Sequence, residues 1–206
     1  MTAADFVPPD RSLEALRGAA CDCRGCSLWE HATQTVFGEG AAHASLMLVG
    51  EQTGDVEDKE GEPFVGPAGR LLDRALEAAG IDREQTYITN AVKHFKWRPA
   101  GKRRLHQKPS TTEVVACRPW LVAEVEAVQP EVVVAMGATA ARSAVGRPVK
   151  VTQERGQVVQ SPEGWTVVPT VHPSSILRAD DPSDREVQFD AFVRDLSAVP
   201  ALLVRR

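Results

Sequence analysis

Three of the four cysteines crowd together at Cys21, Cys23 and Cys26, and the fourth, Cys117, stands far downstream. Two residues separate Cys23 from Cys26, a spacing at which two thiolates reach one metal from a tight turn. A four-ligand site needs two more donors. Cys117 is one, and the other is Cys21 or an imidazole, with His94 in Asn90-Ala-Val-Lys-His94 placed to lie alongside Cys117. Zinc and an iron-sulfur cluster are both chemically reasonable for such a set, and spacing alone does not separate them. In a reducing compartment, crowded cysteines do not read as a disulfide framework.

A second group of residues carries side chains of the kinds that binding and catalysis use. Gly50-Glu51-Gln52-Thr53-Gly54-Asp55 brings carboxylates to a glycine-flanked turn, and His172-Pro173-Ser174-Ser175 brings an imidazole beside two hydroxyls. Pro63-Phe64-Val65-Gly66-Pro67, Thr89-Asn90-Ala91 and Lys102-Arg103-Arg104-Leu105-His106 add an aromatic ring, an amide and a basic run ending in histidine. Singly, each reads as ordinary core or surface; the joint pattern is what carries weight. Residues 91–112 contain no acidic side chain but hold Lys93, Lys96, Arg98, Lys102, Arg103, Arg104 and Lys108. Such a segment can neutralise phosphates locally, although the net charge of -4 gives no global attraction for nucleic acid.

These residues need a frame. Short runs rich in Val, Ile and Leu at Ser45–Gly50, Thr86–Val92, Glu131–Gly137 and Thr166–Val171 read as buried parallel strands. Between them, helical patterns run over Ser12–Ala20, Ala68–Ala79, Ser110–Val128, Ala138–Val145 and Asp184–Val199, with glycine or proline at several of their ends. The alternation predicts an α/β fold, a doubly wound, mainly parallel four-stranded sheet flanked by helices, with ligands collecting beyond the carboxyl ends of the strands. Val151–Val159 with Trp165–Val168 reads as a small added hairpin. At 206 residues and 43% hydrophobic, one domain over 1–206 is the expectation, with the cysteine loop 21–26 and a basic loop 93–108 inside it. No apolar run is long enough for a membrane span and the N-terminus lacks signal-peptide order, so a cytoplasmic monomer is expected.

On these motifs, from Cys23 to Leu177, the chain resembles the family 4 uracil-DNA glycosylases, iron-sulfur proteins, and is closest to their UdgX branch. The resemblance implies a four-iron four-sulfur cluster, in preference to zinc, held by Cys23, Cys26, His94 and Cys117, with Cys21 a bystander and the cluster structural. It implies that Phe64 stacks on uracil, Asn90 reads its O4 and N3 edge, and His172 stabilises charge at O2 of the departing base. Gly50, Gln52, Gly54 and Asp55 shape the pocket, Arg104 seats the basic loop, and Ser174 with Ser175 contacts phosphate. The branch carries a glutamine in the first motif and a histidine ending the basic loop, here Gln52 and His106. By that likeness His106 bonds covalently to C1′ of the abasic sugar in DNA, with Glu51 taking its proton or orienting its ring. Single-stranded uracil-containing DNA is the expected substrate. A conventional multiple-turnover glycosylase and a non-catalytic iron-sulfur DNA-binding protein are the alternatives. Thr53 departs from the usual proline and predicts a looser turn and slower chemistry.

Overall fold

The computed structural model describes residues 1–203; the expected domain extends to 206, and 204–206 lie outside the described residues. In chain order the strands are β1 (Glu39–Gly40), β2 (Leu46–Gln52), β3 (Thr86–Val92), β4 (Trp97–Ala100), β5 (Arg103–His106), β6 (Val132–Met136), β7 (Val159–Gln160) and β8 (Thr166–Thr170). The helices are α1 (Leu13–Ala20), α2 (Asp55–Glu60), α3 (Pro67–Ala78), α4 (Thr111–Val128), α5 (Ala138–Val145), α6 (Val151–Glu154), α7 (Pro173–Leu177) and α8 (Pro182–Ser197).

The main sheet runs β1-β3-β2-β6-β8-β7. Its inner strands β3, β2, β6 and β8 are parallel and correspond to the four expected from sequence. The two-residue strands β1 and β7 pair antiparallel at the edges. Because side chains alternate along a strand, the sheet feeds two separate cores. Met47, Val49, Val133 and Ala135 pack with Leu121 and Val125 of α4 and Ala140 and Ala144 of α5. Leu46, Leu48, Val132 and Val134 pack on the other face with Leu72 and Leu76 of α3 and Phe192 and Leu196 of α8. A third cluster joins Leu16, Cys23 and Leu28 to Cys117 and Trp120, so the cysteine loop is anchored on the outer side of α4.

Two local expectations change. The basic segment is not a loop but an antiparallel hairpin, β4 paired with β5 in the register Trp97↔His106 to Ala100↔Arg103, with Gly101 at φ 59° turning its tip. Pro99 and the run of cations hid the strand alternation. The hairpin expected from Val151 is shortened: Val151–Glu154 is a helical turn, and Val159–Gln160 alone pairs with Thr166–Val167. Among the described residues no helix is long and apolar enough to cross a membrane.

Candidate active site

The parallel register lays Gly50 beside Asn90 and Met136 beside Thr170, so β2, β3, β6 and β8 all point their carboxyl ends at one edge. There a cleft of about 680 Å³ is lined by Glu51, Gln52, Gly54, Asp55, Phe64, Asn90, His106, His172 and Ser174, joined by Lys108 and Arg178. Nine residues of the five motifs thus meet in one place. Gly50 stands behind them. A Cβ there would lie 2.3 Å from Asn90 Oδ1 and 2.6 Å from Phe64 Cζ, so glycine is what lets the amide and the ring approach. Gly54 and Gly66 similarly leave room for Glu57, whose Oε1 accepts from Gly66 N–H at 2.9 Å.

Phe64 is buried and sits at φ 59°, a left-handed backbone that a bulky residue adopts only under strain of about 1–3 kcal/mol. Its ring centroid is 5.9 Å from that of His172, tilted by 31°. Asn90 is buried, and its Oδ1 finds no partner among the described residues. An orphaned buried acceptor is costly unless a ligand supplies the donor.

His172 is oriented by its own turn. Ser174 N–H donates to Nδ1 at 3.1 Å, so Nδ1 carries the lone pair and the neutral ring bears its proton on Nε2. Burial, helped by the nearby cations, lowers its pKa to about 4. The imidazole is therefore a neutral donor. Ser174 Oγ lies 2.8 Å from the same Nδ1, and Ser175 Oγ donates to His172 O at 2.7 Å. Both hydroxyls thus bond within the turn.

The hairpin delivers His106 to the cleft. Its Nε2 lies 3.6 Å from Glu51 Oε1, and burial, partly offset by the Glu51 charge, holds its pKa below the ordinary value. Gln52 fastens both strands' bases: its Nε2 donates to Lys96 O and Gln107 O, and its Oε1 accepts from Lys96 N–H. Arg104 clamps the middle, donating to Asp55 Oδ1 at 2.5 Å and to Asp58 Oδ2 at 2.7 Å, with its guanidinium over Phe95 and Trp97. Asp58 is fully buried and also accepts from Thr33 N–H and Oγ1. Sequence reasoning missed Asp58, because an acidic residue on a short helix reads as solvated.

The basic segment divides. Lys93 is buried against Glu124, Lys96 pairs with Glu113 at 2.8 Å, and Arg104 is clamped. Arg98, Lys102, Arg103 and Lys108 are exposed and pair with no carboxylate among the described residues. Lys93 also donates to Thr89 Oγ1 and to the backbone oxygen of Asn90, and Glu124 accepts from Gly38 N–H, Tyr87 and Thr89. This buried pair props the strand that carries the amide.

The proposed metal ligands lie behind the hairpin. Burial raises the Cys26 thiol and pushes that of Cys117 up to about 12. Lys93 N–H donates to Cys117 Sγ at 3.4 Å and Trp120 Nε1–H to Cys23 Sγ at 3.2 Å. Thr35 Oγ1 donates its one proton to Ala20 O, so it accepts from His94 Nε2–H at 2.8 Å and leaves Nδ1 bare. Burial lowers His94 to about 4, so this ring too is neutral. Thiols and an imidazole nitrogen are donors that a thiophilic metal centre accepts, but among the described residues no group of three or more His, Cys, Asp or Glu side chains is arranged to hold a metal ion. Cys21 is exposed, with its thiol on Arg17 O, outside the group.

Known proteins match over most of the chain. The uracil DNA glycosylase superfamily profile matches residues 37–197. A type-4 uracil-DNA glycosylase of Thermotoga maritima is 43% identical over 157 residues, covering 76% of this chain and 78% of that protein. One of Sulfurisphaera tokodaii is 36% identical over 199 residues, covering 92% and 86%, and one of Archaeoglobus fulgidus is 35% identical over 174 residues, covering 81% and 83%.

Proposed function

Because the chain belongs to the uracil DNA glycosylase superfamily, with type-4 enzymes among its relatives, we propose that it excises uracil from DNA and then holds the abasic sugar covalently through His106. The observation that carries the second half is the placement of the His106 ring in the cleft, Nε2 3.6 Å from Glu51.

A glycosylase takes its base out of the stack and reads it in a pocket. Phe64 stacks on the flipped uracil. The unpartnered Asn90 Oδ1 accepts from N3–H while its amide donates to O4, a pattern that cytosine, with its donor and acceptor reversed, does not match. His172 donates Nε2–H to O2 as the C1′–N1 electron pair leaves with the base. The oxocarbenium-like sugar then meets a neutral imidazole instead of water. A His106 nitrogen lone pair forms the new bond to C1′, and the proton shed by the imidazolium passes to the Glu51 carboxylate. Fixing the nucleophile on the protein raises its effective molarity far above that of a diffusing competitor.

Cys23, Cys26, His94 and Cys117 hold a four-iron four-sulfur cluster in this reading, which pins the N-terminal loop to α4 and to the base of the hairpin. The fit of the bare His94 Nδ1 and the sulfur-directed donors supports it. The exposed cations of the hairpin face the DNA backbone, with single strands preferred, and the chain acts as a monomer.

The competing reading is a conventional multiple-turnover glycosylase; the relatives bear the name type-4 uracil-DNA glycosylase. Substitution separates the two. With uracil-containing single-stranded DNA in excess, the parent stops after one equivalent of uracil, whereas His106→Ser admits water and turns over. A parent that releases many equivalents supports the conventional enzyme; one that binds uracil DNA but releases no uracil is a non-catalytic reader.

A further inference from the structure

The sheet changes direction at β2. The chain leaves β2, adds β3 on one side, and only later adds β6 on the other, so a crevice opens between the carboxyl ends of β2 and β6. Glu51 stands on one wall, near the end of β2. Thr139 stands on the other, in the first turn of α5. Gly137, at φ 89°, turns the chain from β6 directly into that helix, and a Cβ there would meet His172 Cβ at 3.2 Å. The same glycine therefore brings α5 up against both Glu51 and the His172 turn.

Across the crevice Thr139 Oγ1 donates to Glu51 Oε2 at 2.5 Å. Thr139 is buried, and among the described residues this is the one hydrogen bond that the Glu51 side chain makes. A glutamate has three rotatable bonds, and one in an open cleft is free to swing into water. Holding one carboxylate oxygen fixes the plane of the group and with it the direction of the other oxygen. Here the other is Oε1, which is turned to His106.

We propose that Thr139 is a positioning residue for the reaction, acting through Glu51: its hydroxyl anchors Oε2 and so aims Oε1 at the His106 ring. The inference rests on the roles given above to Glu51 and His106. It adds a group from a different strand connection, 88 positions away in sequence, that is not among the residues lining the cleft.

The experiment uses the full chain in excess over a uracil-containing single-stranded oligonucleotide and follows the covalent protein–DNA adduct on denaturing gels. Maximum rate and half-saturating protein concentration are separated for the parent, Thr139→Val, Thr139→Ser, Glu51→Ala and the Glu51→Ala/Thr139→Val double variant. A misaimed reacting group loses on the order of 10- to 100-fold. The expected result is that loss in maximum rate for Thr139→Val, with half-saturation unchanged, recovery to within about threefold in Thr139→Ser, and a double variant no slower than Glu51→Ala, as two residues acting through one contact require. Thr139→Val at the parent rate, Thr139→Ser as slow as Thr139→Val, or losses that multiply in the double variant would each overturn the proposal. Glu51→Ala at the parent rate instead removes the role of Glu51 itself. Free uracil is counted in the same samples, so a parent that releases uracil and forms no adduct overturns the covalent reading and with it the proposal, whereas a parent that crosslinks leaves the variants to decide on Thr139 alone.

Discussion

Arg104 Nη1 donates to the buried carboxylate of Asp58 at 2.7 Å, tying the basic hairpin to the short helix that follows the Glu51 turn. The guanidinium reaches Asp55 with Nε at the same time. One planar fork therefore sets the distance between the strand bearing His106 and the turn bearing Glu51.

Arg104→Lys should not rescue Arg104→Ala, because an ammonium cannot span Asp55 and Asp58 or stack between Phe95 and Trp97. Both variants should slow single-turnover adduct formation by roughly 10- to 100-fold while uracil release falls less. Quenched-flow assays of the two products check this, and equal losses in both would show that Arg104 serves the whole cleft instead of the hairpin.

Asn90→Ala removes the orphaned acceptor and the donor beside it. Discrimination from a bidentate reading of a base edge amounts to about 1–3 kcal/mol, so excision should slow by roughly tenfold or more and preference for uracil over cytosine should shrink. Competition between uracil- and cytosine-containing oligonucleotides measures it; unchanged preference would place the base-reading group elsewhere.

His172 gives stability a pH signature. Its folded pKa is near 4 against an ordinary value of 6.5, so between those limits the unfolded chain binds a proton that the folded chain refuses. The contribution is complete above pH 6.5 and is lost as pH falls toward 4. Thermal midpoints of the parent should drop more steeply through that window than those of His172→Gln, and parallel curves would contradict the buried neutral ring.

Only four of the seven cations in residues 91–112 are free to meet phosphate, since Lys93, Lys96 and Arg104 have carboxylate partners of their own. With a slope of about -0.7 per phosphate neutralised on single strands, the hairpin's contribution to the log-log salt dependence of DNA affinity should be near -3 and not near -5. Titrations of Arg98→Ala, Lys102→Ala and Arg103→Ala should each flatten the slope, whereas Lys93→Met should leave it unchanged if the protein folds.

The sequence made much of this legible because its signals were local. Strands buried on both faces show as apolar runs; Glu51 and His172 follow two of those runs and Asn90 lies near the end of a third, where a parallel sheet gathers its loops. What stayed hidden was non-local. Thr139 carries no spacing signal toward Glu51, and Asp58 and Glu124 look solvated until the fold buries them against Arg104 and Lys93. The hairpin escaped notice because Pro99 and clustered cations suppress the alternation that marks a strand. Ser174 and Ser175 carry no spacing signal for the bonds that their hydroxyls make within the turn, one to the His172 ring and one to its carbonyl.

The most direct test is where the sugar ends up. The parent protein is incubated with a uracil-containing oligonucleotide, denatured, digested with protease and nuclease, and fragmented in a mass spectrometer. The account predicts a deoxyribose adduct on the peptide containing His106, localised to that ring and missing in His106→Ser. Peptides of unmodified mass alongside free abasic DNA, or an adduct on any other residue, would contradict it.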